Sequence, residues 1–352
     1  MYVVSEPNYA TTNWYRNSIS ALKNQARKKR VSLLFAEEAE AAKGETCAFV
    51  LGASVAWIMQ TVSCLQSAGC HPILLNELPD YPFVGRYSCV KTDYNRFMAV
   101  LASGFLEEGR KRTAFFGMNR ASFSDIARRN AFEACFVGGT VFENNGSLGA
   151  CFEDFYREHR ERAFDSVICA NDFAAVSLLN HLRRCGVEER EISIAVHSNA
   201  QLITRFPSIR SVNIDYPSVA AAALEIADCI SANPGFAGIC ITVDPKESDA
   251  KIDPAPNGAE ELLARTDDVM SDPLYRDGEL NELMRIEKLL SACDETDLQI
   301  LRCLMESGET IGESTFLSDN GVKYRIKKMK KLCCVESKSE IPMLLEKYGV
   351  EI

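Results

Sequence analysis

Along the first 242 residues, short apolar runs alternate with amphipathic stretches. "YVV" (2–4) precedes "WYRNSISALKNQARKK" (14–29), in which Ile19, Leu22 and Ala26 recur at helical spacings of three and four. "VSLLF" (31–35), "CAFVL" (47–51) and "PILL" (72–75) read as strands. Between the last two lies "SVAWIMQTVSCLQSAG" (54–69), with Val55, Ile58, Val62 and Leu65 on one helical face and Gly69 as its stop. Next come strand "RYSCV" (86–90), helix 95–109, strand "RTAFFG" (112–117), helix 122–136, strand "GTVF" (139–142) and helix 149–162. Strand "SVICA" (166–170), helix 173–185, strands "ISIAV" (192–196) and "IRSVNI" (209–214), helix 217–231 and strand "GICIT" (238–242) complete the series. Strands parted by helices at this spacing predict parallel sheets with helices on both faces. They are too many for one comfortable doubly wound sheet, so two α/β lobes are expected over 1–242.

The pattern stops at about residue 243. "VDPKESDAKIDPAPNGAEELLARTDDVMSDPLYRDGE" (243–279) is rich in Pro, Asp and Glu and shows no strand pattern. It predicts a partly disordered linker over 243–278. From 279 to 352 the pattern is helical throughout. The expected fold is a two-lobed α/β domain with a small all-α domain tethered behind it.

Charge changes this picture in one place. The chain has 39 Lys and Arg against 49 Asp and Glu, a net charge of −10. Nucleic acid coating the whole surface is therefore excluded, but one local basic patch is not. Six of the nine residues over 323–331 are Lys or Arg. The 14 cysteines show no C-x-x-C spacing, and the 4 histidines form neither H-E-x-x-H nor H-x-x-x-H. The cysteines, such as Cys47, Cys135, Cys169 and Cys240 in apolar runs, read as small buried hydrophobes in a reducing compartment. No cofactor or metal site is expected. No signal peptide or membrane-length apolar run is visible, which predicts a cytoplasmic protein with no membrane partner. No nucleophile elbow, P-loop or G-x-G-x-x-G occurs either, so an enzyme is not expected.

Three segments of the first 242 residues resemble the ligand-binding core of LacI-type regulators: "SFSDIARRNAFEACF" (122–136), "SVICANDFAAVSLLNHLRRCGVEEREISIAVHSN" (166–199) and "VKTDYNRFMAVLASGFLEEGRKRTAFFG" (90–117). The resemblance implies a periplasmic-binding-protein-like (type I) bilobed fold that binds a small polar effector, a sugar or a nucleoside-like molecule, between its lobes. By position it implies Asp172 as a ligand-binding carboxylate, Arg128 as a ligand-binding guanidinium, and Trp14 and Tyr15 as the aromatic pair of the first loop. A carboxylate accepts from hydroxyls, a guanidinium offers a rigid donor fork, and aromatic faces cover an apolar ring. Taken alone, Asp172 reads equally as a helix cap, and Trp14 and Tyr15 as core aromatics. The sequence departs from the family's pattern at Ala131, at the turn "VHSN" (196–199), which lacks acidic residues, and at Ile214. That family usually carries its DNA-binding helices before the sensor. Here the first strand begins at residue 2, so a reader is expected elsewhere in the chain.

The segment 294–350 resembles a LuxR-type helix-turn-helix domain. Leu298, Leu301, Leu304 and Met305 mark a first helix, 311–316 a short second helix, and Ser318 the cap of a third. A fourth helix, 337–348, turns Ile341, Leu344, Leu345 and Tyr348 inward or to a dimer partner. In the third helix Val322, Ile326, Met329 and Cys333 recur at i, i+4, i+7 and i+11, one buried face. A basic exposed side opposite an apolar stripe suits the DNA major groove, although a solvated basic face gives the same pattern. The resemblance places Lys323, Tyr324 and Lys327 toward bases, and Ser318, Arg325 and Lys331 toward phosphates. Gly321 stands where the family has Thr. The function implied is a homodimeric, ligand-responsive transcriptional regulator of double-stranded DNA. The alternative is a ligand sensor whose C-terminal helices bind a protein partner instead.

Overall fold

The alternation is realised element by element in a computed structural model, which describes residues 1–7, 13–52, 54–75, 85–120, 122–198, 200–247, 276–306, 311 and 315–352. The chain begins β1 (Tyr2–Ser5), α1 (Asn13–Lys29), β2 (Leu34–Ala36), β3 (Cys47–Leu51), α2 (Val55–Ser67), β4 (His71–Leu75), β5 (Ser88–Thr92) and α3 (Tyr94–Glu107). It continues β6 (Thr113–Met118), α4 (Phe123–Cys135), β7 (Thr140–Glu143), α5 (Leu148–Arg162), β8 (Ser166–Cys169), α6 (Asp172–Arg184) and β9 (Ser193–His197). After these come β10 (Ile209–Asn213), α7 (Tyr216–Ala232), β11 (Cys240–Val243) and β12 (Lys246–Glu247). Four further helices close the described chain: α8 (Gly278–Ala292), α9 (Glu295–Met305), α10 (Asp319–Cys333) and α11 (Glu340–Lys347). Strand β12 lies where only linker was expected. Residues 248–275 of that linker, and 312–314 of the short helix expected over 311–316, fall outside the described residues.

The chain forms two compact units. The first comprises Met1–Phe97 and Asn213–Lys246, the second Met98–Val212 and Glu247–Ile352. In the first unit the strands lie in the order β11-β5-β4-β3-β1-β2, paired in parallel. The period of two along β3 sends Phe49 and Leu51 to one side, with Leu22 of α1 and Leu224 of α7. Ala48 and Val50 go to the other side, with Ile58, Val62 and Leu65 of α2. Helices on both faces explain why β3 and β4 are buried along their whole length, β3 with apolar residues throughout.

The second unit holds a sheet in the order β12-β10-β9-β8-β6-β7, with parallel pairings from β10 through β7. Its core runs without a break into the C-terminal helices. Phe152 and Phe155 of α5 and Leu178 and Leu182 of α6 share one cluster with Leu283 and Ile286 of α8, Leu301 of α9, Met329 of α10 and Leu345 of α11. The helical region is therefore fused to the second sheet and does not hang from the acidic segment as a separate bead. Polar contacts reinforce the seam. Asp277 caps two helices at once, accepting from Glu279 N of α8 at 2.9 Å and from Leu148 N of α5 at 2.7 Å. Glu279 faces His181 of α6 at 3.1 Å, and Glu282 accepts from the buried Tyr348 hydroxyl.

One glycine sets how closely α6 packs on its sheet. Gly117, in β6, has φ +83°, and a Cβ there would lie 2.6 Å from the Cβ of Ala174. Its missing side chain lets the first turn of α6 approach the sheet. The cysteine expectation holds for Cys47 and Cys169 but not for Cys135 and Cys240, which are exposed. Cys135 ends α4, and Cys240 sits on the edge strand β11, whose outward positions face solvent.

Candidate functional site

Two groups of expected residues take shape separately. Trp14 and Tyr15 belong to the first unit, in the first turn of α1 rather than in a loop. Both are half-buried against its core, and the Tyr15 hydroxyl donates to Ser5 Oγ at 3.0 Å. Trp14 lines a small indentation with Ser18, Leu75, Val90, Thr92, Ile214 and Tyr216. Leu75, Thr92 and Ser5 lie at the C-terminal ends of their strands, the end at which open parallel sheets bind ligands. The lining is mostly apolar. Ile214 contributes to that, which suits the face of a ring more than a cluster of hydroxyls.

Arg128 and Asp172 belong to the second unit, and the structure brings them together. Asn171, not Asp172, caps α6, accepting from Ala174 N at 3.0 Å. That removes the cap role from Asp172 and leaves its carboxylate for other work. The Ser198 hydroxyl donates to it, whereas its Oδ1 is sealed from solvent without a hydrogen-bond partner among the described residues. Burial pushes the Asp172 carboxyl up to about 7. Ser198 and Arg128 oppose that rise, and the charge of Glu287 adds to it.

Arg128 is buried in α4. Its Nη1 donates to Asp125 Oδ1 at 3.0 Å and to the carbonyl of Ala170 at 2.6 Å. The guanidinium thus ties α4 to the end of β8, one peptide before the α6 cap. His197, also buried, is held neutral: burial lowers its pKa well below the usual value, and the Arg128 charge lowers it further.

The sequence reading missed Asp125, His197, Ser198 and Glu287. Asp125 was signalled by the S-x-x-D spacing from Ser122, whose hydroxyl accepts from Asp125 N. His197 and Ser198 stood in the turn that departs from the family's pattern. Nothing in the sequence links Glu287, more than 100 residues after Asp172, to this group.

The basic residues of α10 separate into two kinds. Ser318 caps the helix, accepting from Gly321 N at 3.3 Å. Ser318, Lys323, Tyr324, Lys327 and Lys331 are all exposed. The opposite stripe is buried at Val322, Met329, Leu332 and Cys333, with Ile326 partly so. Arg325 is turned inward. Its Nη1 donates to Asp297 at 2.7 Å and to Asp294 at 2.8 Å, and these carboxylates raise its pKa. Lys328 is likewise drawn toward Asp297 and the carbonyl of Ala292. In α11, Ile341 and Leu345 face inward, as does Tyr348 just beyond it, while Met343 is exposed.

The fold is thus α/β, two units each built on a parallel sheet, with an all-α region packed on the second. Solved structures of LacI-family regulators share it. The "transcriptional regulator CelR-cellobiose complex" aligns with a TM-score of 0.57 at 13% identity, over 70% of this chain and 82% of that one. A LacI family transcriptional regulator from Enterococcus faecalis with bound ribose gives 0.56 at 14%, over 71% and 97%. Transcription regulator CcpA of Lactococcus lactis gives 0.55 at 16%, over the same shares. At such identities the likeness is one of fold. No protein-family model matches the chain, and neither does any curated protein. Among the described residues no helix is long and apolar enough to cross a membrane, and no group of three or more His, Cys, Asp or Glu is placed to hold a metal ion.

Proposed function

We propose that the protein is a ligand-responsive transcriptional regulator. Its sensor, over 1–242, takes a small polar effector, a sugar or nucleoside-like molecule, through Asp172, Arg128, Trp14 and Tyr15. Its helical region, over 279–352 behind a linker at 243–278, is a LuxR-like helix-turn-helix that meets double-stranded DNA as a homodimer. Lys323, Tyr324 and Lys327 serve the bases. Ser318 and Lys331 serve phosphates, as does Arg325 once released from Asp294 and Asp297. The reading makes the protein cytoplasmic and not an enzyme.

The observation that carries it is that the second of two parallel-sheet units includes, in one compact body, a capped helix that buries one stripe and displays Lys323, Lys327 and Lys331 on the other side. The neighbours with bound cellobiose and ribose support the effector class. A DNA titration by fluorescence polarisation at several salt concentrations tests it. Each phosphate neutralised contributes about 0.9 to the slope of log affinity against log salt, so binding that steepens accordingly is expected. No binding at low salt would sink the DNA reading.

The reading in which the helices bind a protein has one observation in its favour. Phe316 is 96% exposed at φ +54°, and Tyr324 and Met343 are each 66% exposed. Apolar side chains displayed in this way suit a protein contact, and a DNA-free pull-down with stable partners would favour it.

A further inference from the structure

The Asp172 group and the C-terminal helices meet at one side chain. Glu287 projects from the middle of α8 and is 4% exposed. Its carboxylate accepts from Gln201 N at 3.1 Å, from Leu202 N at 2.7 Å and from Ser291 Oγ at 2.6 Å. The preceding amide, Ala200 N, donates to Ser198 Oγ at 3.2 Å, and the Ser198 hydroxyl donates to Asp172. Three successive amides and one hydroxyl therefore connect the two carboxylates through a single turn of chain after β9.

The charged and titratable groups around Asp172 come from three elements. Helix α4 supplies Arg128, itself paired with Asp125. The end of β9 supplies the neutral His197. Helix α8 supplies Glu287, whose negative charge acts against the ionised form of Asp172. Only the last belongs to the C-terminal helices.

We propose that Glu287 is a positioning residue that couples the charge state of Asp172 to the seating of α8, and through α8 to the basic helix α10. A proton or a ligand donor that neutralises Asp172 relieves its repulsion with Glu287 and tightens the grip of Glu287 on the amides of Gln201 and Leu202. Ionised, unliganded Asp172 loosens that grip. By linkage the effect is reciprocal: whatever displaces α8 changes the affinity of Asp172 for its proton or ligand. The biological use of this coupling rests on the regulator reading, but its physical content needs neither effector nor DNA.

The test uses the full-length protein with the proton as probe. The Asp172 carboxyl carbon and the Leu202 amide are followed by NMR from about pH 5 to 9, a window around the ordinary range of a perturbed carboxylate. In the unaltered chain Asp172 is expected to titrate near 7, with the Leu202 amide following the same midpoint. In Glu287→Gln the Asp172 midpoint moves down, because a neighbouring like charge is gone. In Asp172→Asn the Leu202 titration disappears. A midpoint that Glu287→Gln leaves unchanged overturns the proposal, as does a Leu202 amide that ignores Asp172 or still titrates in Asp172→Asn. If Glu287→Gln does not fold, the unaltered chain and Asp172→Asn decide it. Absence of DNA or effector binding with these shifts intact would overturn the regulator reading and leave the coupling standing.

Discussion

Two charged clusters of the second unit show opposite solutions to the same cost. Around Asp172, charge is withdrawn from water and satisfied internally: Arg128 by Asp125 and the Ala170 carbonyl, Glu287 by two amides and a hydroxyl. On α10, Lys323, Lys327 and Lys331 stay in solvent. Burying a charge costs several kcal/mol unless partners replace water, so a buried cluster must be built to fit and fixes its neighbours. An exposed one costs little and constrains nothing inside the protein, which leaves it available to an outside partner. The same chemistry thus specifies structure in one place and offers a surface in the other. Arg325 and Lys328 mark the border: they lie on the basic helix but are drawn toward the buried Asp297.

Substitutions should separate the clusters in a definite order. Leu283→Ala, at the fully buried seam between α8 and the second lobe, is expected to cost about 2–5 kcal/mol in denaturant unfolding. Because that core is continuous, loss of the second unit's sheet and loss of the C-terminal helices should coincide; their separation into two transitions would contradict the fused core.

Asp172→Asn comes next, and its effect depends on pH. The raised carboxyl means that the folded state keeps a proton the unfolded state releases. Stability is therefore fully present below about pH 4 and is lost as pH rises through about 7. The Asn variant should match the unaltered chain near pH 4 and exceed it above pH 7, by up to about 4 kcal/mol. A stability difference that does not change with pH would argue against an Asp172 whose carboxyl is raised in the fold.

Caps give a smaller contrast. Asp277→Ala removes one carboxylate from two helix starts and should cost about 2 kcal/mol, against about 1 kcal/mol for Ser318→Ala at the exposed start of α10. Equal costs, measured by thermal melting, would remove the distinction.

The smallest effect on stability is expected from Lys323→Ala combined with Lys327→Ala, within about 0.5 kcal/mol. If those side chains meet bases, the same double variant should lose its preference for a specific sequence over a random one, by about 1–3 kcal/mol for each contact removed. Sequence preference retained in the double variant would return them to the status of solvated charge.

How far the sequence discloses each cluster depends on the range of the interactions. The strands of both sheets, β12 apart, and their helices were legible because burial on a sheet face or a helix stripe leaves a period of two or 3.6 in adjacent residues. The buried stripe and basic face of α10 were legible for the same reason. Arg128 and Asp172 were reached through resemblance, and their meeting required the fold. Asp297 as the partner of Arg325, and Glu287 as the partner of Gln201 and Leu202, left no local trace, because each bond joins residues far apart in sequence. The fusion of the helical region to the second lobe was hidden in a similar way. A Pro- and acid-rich segment announces a boundary in composition, but only packing reveals that Leu283 and Leu182 share a core.

That shared core limits how the chain can be recombined. A designer wishing to give the helical region a different α/β partner would cut near residue 278, where composition invites it. The excised piece would bare Leu280, Leu283, Ile286 and Leu289 of α8 along a face shaped by α5 and α6. The remaining lobe would lose the Glu287 carboxylate that holds the amides of Gln201 and Leu202. The exchangeable part is the whole second unit, so a graft that keeps α5, α6 and the turn after β9 together with α8 should transplant where a shorter one aggregates.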